Sequence, residues 1–251
     1  MQIDCKQRTI ESNDSIIHLK VNGGKNLKIL SSNFTNLPDE IIINGVNKTN
    51  ITTRYYIICF HFYNFWNYSL FYCSTSNVTL IWRHKINSAD KMFYGCSNNT
   101  EIDFSNFDSS DIANMEYMFS GCSSLKTLKL SNFKTSSVKN MLGMFLGCSS
   151  LISLDLSSFN TSLVNNMESM LQDCIKLNSL NLYSFNTILV KNIIKMFYNC
   201  NSLTLLDLSN FKSTLFENMN SMFSNCFSLK SLYLFNLNKS NDISMSRILD
   251  G

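Results

Sequence analysis

Between residues 96 and 226 the same order of apolar and polar positions returns every 26 residues. Cysteine marks the step at Cys96, Cys122, Cys148, Cys174, Cys200 and Cys226, without insertion or deletion. Counted from the cysteine as zero, apolar side chains stand at +3, +6, +8, +11, +16, +19, +22 and +23. In the unit that opens at Cys122 these are Leu125, Leu128, Leu130, Phe133, Val138, Met141, Met144 and Phe145. A fixed period of this length is the signature of stacked repeats, each unable to bury its apolar face alone.

The unit divides in two. Its first half, L-x-x-L-x-L-x-x-F, alternates at +6 and +8 and predicts a short strand, as in a leucine-rich repeat. In its second half, +16, +19, +23 and the next cysteine step by three, four and three, which predicts one stripe of a short helix. The expected fold is therefore α/β: a leucine-rich repeat solenoid with a parallel inner sheet and helices on its outer wall.

The preceding residues carry different patterns. Ile16 to Val21 alternates, Asn22-Gly23-Gly24 can turn, and Leu27 to Leu30 resumes, so a hairpin is expected. Pro38, the only proline, precedes Ile41 to Ile43, and a second turn follows at Asn44-Gly45. With a strand at Val78 to Trp82, these segments predict a β-rich capping module over 1–85, ahead of repeats over 86–251. Ile86 to Cys96 reads as the helical half of an incomplete leading repeat. Tyr55 to Cys73 is about as long as a membrane span yet contains His61, Asn64 and Asn67, so it is either such a span, buried cap strands, or an insertion. The repeat pattern fades after Leu237, and the abrupt end is what a fragment of a longer protein would have.

Charge removes one class of partner. The formal net charge of the 251 residues is +3, and over 91–251 twelve basic residues balance twelve acids, so no basic footprint for nucleic acid is present. The opening residues lack the basic start and apolar run of a secretory signal, so either the chain is cytosolic or its true beginning is missing. A zinc site would need close cysteine pairs, whereas the ladder cysteines never lie nearer than one unit, so they read as buried free thiols. The methionines at +19 and +22 read as core, and the asparagines at +18, such as Asn140 and Asn166, as side chains bonding backbone in a bend. The three histidines, His18, His61 and His84, have no partnered nucleophile or acid. No catalytic constellation, metal site or cofactor motif is expected, so the chain reads as non-enzymatic.

The candidate site is the concave inner wall. Side chains at +5, +7 and +9 should point away from the core, which nominates Asp103, Lys129, Asp155, Asn181, Tyr183, Leu205, Asp207, Tyr233 and Phe235 as ligand-binding residues. The four large apolar ones cluster toward the C-terminal end, where a protein or glycan partner would cover them. Six strands offer roughly 500 Å², below the roughly 800 Å² per partner of a standard interface, so binding by this piece alone should be weak.

Three motifs, Leu-x-Leu-Ser-x-Phe, Val-x-Asn-Met-x-x-Met-Phe and Gly-Cys-Ser-Ser-Leu, resemble the BspA-type leucine-rich repeat proteins, including the related repeat of mycoplasma surface lipoproteins, over about 86–237. Ile41 to Gly45 and Val78 to Trp82 resemble the segment that precedes the repeats in protist members. The resemblance implies display at the cell surface and adhesion to host proteins or other cells, with an anchor outside this chain if a membrane is involved. A cytoplasmic interaction scaffold is the alternative if the N-terminus is complete.

Overall fold

A computed structural model describes residues 13–22, 27–47, 57–58, 75–212 and 215–234. Its strands are β1 (Ser15–Asn22), β2 (Leu27–Lys28), β3 (Glu40–Ile43), β4 (Val46–Asn47), β5 (Ile57–Ile58), β6 (Thr75–Trp82), β7 (Asn99–Asn106), β8 (Thr127–Lys129), β9 (Ser153–Asp155), β10 (Ser179–Asn181), β11 (Leu205–Asp207) and β12 (Ser231–Tyr233).

A six-stranded sheet in the order β4-β3-β6-β1-β7-β8 joins the N-terminal segments to the first repeats. Its centre is β1, where Ile17, Leu19 and Val21 are buried while His18 between them is exposed. The strand runs antiparallel to β6 on one side and β7 on the other, and β7 then pairs in parallel with β8. The hairpin expected between residues 16–21 and 27–30 is not made, since β2 pairs with β5 instead. The eight-residue β6 gives β1 a ladder along its whole length, which a return over residues 27–30 could not match. The turn at Asn44-Gly45 does join β3 to β4, with φ of 48° and 80°, the double positive-φ geometry of a tight hairpin turn. Trp82 closes the junction: its Nε1 donates to the carbonyl of Asn36 at 2.8 Å, and its ring meets Phe107 edge-on at 5.5 Å. Apart from β5, Tyr55 to Cys73 lies outside the described residues. No helix among the described residues is long and apolar enough to cross a membrane.

Beyond β8 the chain repeats as expected in its strands and departs from expectation in everything between them. Strands β9 and β10, and β11 and β12, pair in parallel with partners 26 residues apart. No helix occurs among the described residues, however, so the α/β leucine-rich repeat with a helical outer wall is corrected to a β-rich stack of strands and turns. The same correction applies to Ile86 to Cys96.

What replaces the helix is a ribbon of overlapping turns. In the unit ending at Cys122, the amides of Met118, Ser120 and Cys122 each donate three residues back, to the carbonyls of Met115, Tyr117 and Phe119. The intervening amides of Met115, Tyr117, Phe119 and Gly121 point sideways and donate to Asn140, Leu142, Met144 and Leu146 of the following unit at 2.7 to 3.0 Å. Such a ribbon needs left-handed residues, and Tyr117 (φ 51°) and Gly121 (φ 76°) supply them, as Gly143 (φ 56°) and Gly147 (φ 73°) do one unit later. A right-handed helix admits none of these. Each unit thus meets its neighbours through a hydrogen-bonded ladder on the turn side, to which strand pairing adds a second between β7 and β8, β9 and β10, and β11 and β12.

Between the ladders the apolar positions form one continuous core. Phe119 stacks on Phe93 at 5.8 Å and on Phe145 at 5.4 Å, with planes within 4° of parallel. Phe104 lies edge-on to Phe119 at 5.7 Å and to Phe133 at 4.9 Å. The methionines at +19 and +22 are buried, as expected of core filler. The ladder cysteines are free, and the thiol of each from Cys122 onward donates to the carbonyl 29 residues back, in the preceding unit, at 3.0 to 3.3 Å. Their sulfurs therefore recur along one axis.

Gly143 gives a local test of the ribbon. A β-carbon there would run into Cε1 and Cδ1 of Tyr117, whose ring covers the position and carries Lys91 Nζ 5.9 Å from its centroid. At Gly147 the nearest atom would be 3.7 Å away, although its φ is just as left-handed. Both alanine variants are expected to lose about 1 kcal/mol to backbone strain, and Gly143→Ala to lose more in urea unfolding. Adding Tyr117→Ala should return the excess, and equal losses without that recovery would show that Tyr117 does not cover Gly143.

Candidate binding surface

On each short strand the middle residue faces the core and its two neighbours face outward, as anticipated. Exposed rows therefore run across the repeats at +5 and +7. Asp103, Lys129, Asp155, Asn181, Asp207 and Tyr233 share the +7 row. Leu205 lies in the +5 row, and Tyr183 stands at +9, just beyond β10. Phe235 lies outside the described residues. The last described large side chains of these rows are Tyr183, Leu205 and Tyr233, exposed by 83%, 55% and 57% respectively.

Most of the +7 acids and amides also have a local task that their spacing alone does not announce. Oδ1 of Asp103, Asp155, Asn181 and Asp207 accepts a hydrogen bond from the backbone amide two residues on, at 2.9 to 3.0 Å, which turns the chain out of the strand. The amide and hydroxyl of Ser157 hold the Asp155 carboxyl below the usual carboxylate range, and those of Ser209 do the same for Asp207. At Asp103 partial burial works upward, but hydrogen bonds from Lys129 and Ser105 outweigh it and bring the carboxyl to about 2. Asparagine at +18 plays the matching part on the turn side: Asn114, Asn140, Asn166, Asn192 and Asn218 each accept from the amide two residues on.

The two ends of this face differ in charge. At the N-terminal end, paired groups line a recess of about 560 Å³ on the outer side of β6, β1, β7 and β8. Within it Lys20 donates to Glu101 at 2.9 Å, Lys129 to Asp103 at 2.8 Å, and His18 Nδ1 lies 3.0 Å from Thr79 Oγ1. Sequence reasoning missed this recess, although polar residues alternate with Ile17, Leu19 and Val21 along β1. At the C-terminal end no ion pair is formed by Asp155 or Asp207 among the described residues, and Tyr233 lies directly across from Asp207 on the paired strand β12.

A second apolar row was also missed. Leu163, Leu189 and Leu215 are exposed at +15 in three successive units, and Ile188 beside Leu189 is exposed too. Leucine at a fixed position immediately before the buried residue at +16 is the signal that could have found it. The thiol ladder offers no reactive site. Burial pushes Cys96 and Cys174 up to about 12 and Cys122, Cys148 and Cys200 well above the ordinary thiol value, while Cys226, less covered, is pushed up to about 11. Among the described residues no three His, Cys, Asp or Glu side chains are grouped to hold a metal ion.

A family model described as "Mycoplasma protein of unknown function, DUF285" matches residues 87–203 and 126–238, which together cover more than half of the chain. No curated protein and no solved structure matches it.

Proposed function

This chain belongs to the Mycoplasma family of unknown function DUF285, and from that premise we propose that its repeats are a non-enzymatic binding module of a surface protein, engaging a protein or glycan through the outward faces of β8 to β12. The observation that carries the reading is the exposure of Tyr183, Leu205 and Tyr233 in neighbouring rows on the outward side of successive units. Large apolar groups of this kind lose water favourably only when a partner covers them, and aromatic side chains dominate such contacts. The motif resemblance to BspA-type surface proteins supports display at the cell surface.

Changing Tyr183, Leu205 and Tyr233 together to serine tests the assignment. The purified, fluorescently labelled chain is titrated onto cultured host cells. Saturable binding is expected for the unaltered protein and at least about tenfold weaker binding for the variant, with unchanged thermal unfolding because the three side chains are exposed. Unchanged affinity in the variant, or no saturable binding by the unaltered chain, overturns the proposal.

A further inference from the structure

We propose that the partner on this face is an extended cationic peptide segment whose two Lys or Arg side chains pair with Asp155 and Asp207 while their stems and backbone lie against Tyr183 and Tyr233. The inference rests on the binding role of the strand face and adds the chemistry of the partner.

Charge complementarity is the first support. Along the face, Glu101 is neutralised by Lys20 and Asp103 by Lys129, so the recess at the N-terminal end is balanced within the chain. Asp155 and Asp207 are exposed and form no ion pair among the described residues. With Asn181 between them they leave two carboxylates facing solvent on either side of a neutral amide. Each is held by an amide hydrogen bond to one oxygen at 2.9 Å, so a partner need not immobilise it and can use the other oxygen. The bonds from Ser157 and Ser209 also keep both carboxyls ionised well below neutral pH.

The surroundings select among cations. Tyr183 stands at +9 in the unit between the two aspartates, and Tyr233 and Leu205 flank Asp207. Aromatic faces beside carboxylates suit Arg and Lys, whose charged heads pair while their stems and planes stack. Spacing points to an extended peptide. Two unit steps, one of them the paired strands β9 and β10, separate the aspartates by roughly 10 Å at the strand spacing, and in a polyproline II segment residues three apart lie on the same side at about 9.3 Å. An anionic glycan would be repelled by the same pair, and a neutral glycan would have no use for two unneutralised charges.

Two peptides and one double variant decide the matter. The probe is a short proline-rich peptide with two arginines three positions apart, and its control has glutamates at those positions. Both are titrated by fluorescence anisotropy at low salt against the full chain and against Asp155→Asn/Asp207→Asn. The arginine peptide is expected to bind, to weaken by about tenfold or more in the double variant, and to weaken as salt is raised, with no binding of the glutamate peptide. Equal binding of the two peptides, no binding of either, or indifference to the double variant overturns the inference. A double variant that binds cells as the unaltered chain does, while the Tyr183/Leu205/Tyr233 serine variant does not, sinks the cationic partner and leaves the binding role of the face standing. Binding of a neutral oligosaccharide that competes with the cells and ignores the double variant likewise sinks the cationic partner alone.

Discussion

Phe119→Ala is expected to lower the unfolding free energy by about 3–5 kcal/mol, the cost of emptying a packed aromatic site that its neighbours cannot refill. The ring sits where three units meet, stacked between Phe93 and Phe145 and abutting Phe104 edge-on, with no solvent exposure. The two rings stacked on it have little room to collapse, because each is pinned by the turn-side ladder: Phe93 N–H donates to Met118 at 2.8 Å and Phe145 N–H to Met170 at 2.9 Å. Urea unfolding followed by intrinsic fluorescence measures the loss, and Tyr183→Ala on the exposed face should change stability by no more than about 0.5 kcal/mol. A Phe119→Ala loss under about 1 kcal/mol would mean that the rings do not form one continuous stack.

The other large effect comes from shortening the chain in the two possible ways. Deleting residues 149–174 joins Cys148 to Ile175 and restores the period, because Leu177 then stands at +3. Deleting 149–161 joins Cys148 to Ser162 and shifts the register by half a unit, so that turn-half residues fall on strand rows, as Val164 does at +3, and strand-half residues fall on turn rows, as Leu177 does at +16. The first protein is expected to remain folded with a lower melting temperature, since one unit and the pairing it contributes are gone. The second is expected to be unfolded, or truncated in effect to residues before 149. Size-exclusion elution and thermal melts of both proteins settle the comparison. Two deletion proteins of equal stability would show that the 26-residue unit is not the unit of structure.

The strand half of the unit is legible in the sequence because its alternation has no competing explanation: Leu154 at +6 and Leu156 at +8 are buried, and Ser153 and Asp155 are exposed, as the period of 2 requires. The turn half invites a helical reading because its spacing is degenerate. Inward residues at +16, +19, +23 and +26 step by three and four in a helix, but overlapping three-residue turns produce the same steps. A discriminating signal stands one residue before each cysteine. Gly95, Gly121, Gly147, Asp173, Asn199 and Asn225 are all residues that tolerate the left-handed region, and all have positive φ. A recurring left-handed position inside a unit this short leaves no room for a helix. The proposed binding face is legible only in outline. Spacing places the outward rows, yet it cannot show that Asp155, Asn181 and Asp207 also end their strands by bonding to backbone, or that β6 and β1 extend the face into a charged recess. The recess depends on pairing between segments far apart in the chain, as between Lys20 of β1 and Glu101 of β7.

The central claim is that each unit is tied to the next by amides that a helix would spend within itself. Nuclear Overhauser contacts across Val138 to Cys148 test it most directly. Contacts between positions 26 apart are predicted, joining Met141 to Met167 and Phe145 to Leu171, with positive-φ couplings at Gly143 and Gly147. An unbroken run of contacts between residues three and four apart through the same stretch, without the links to residues 164–174, would contradict it.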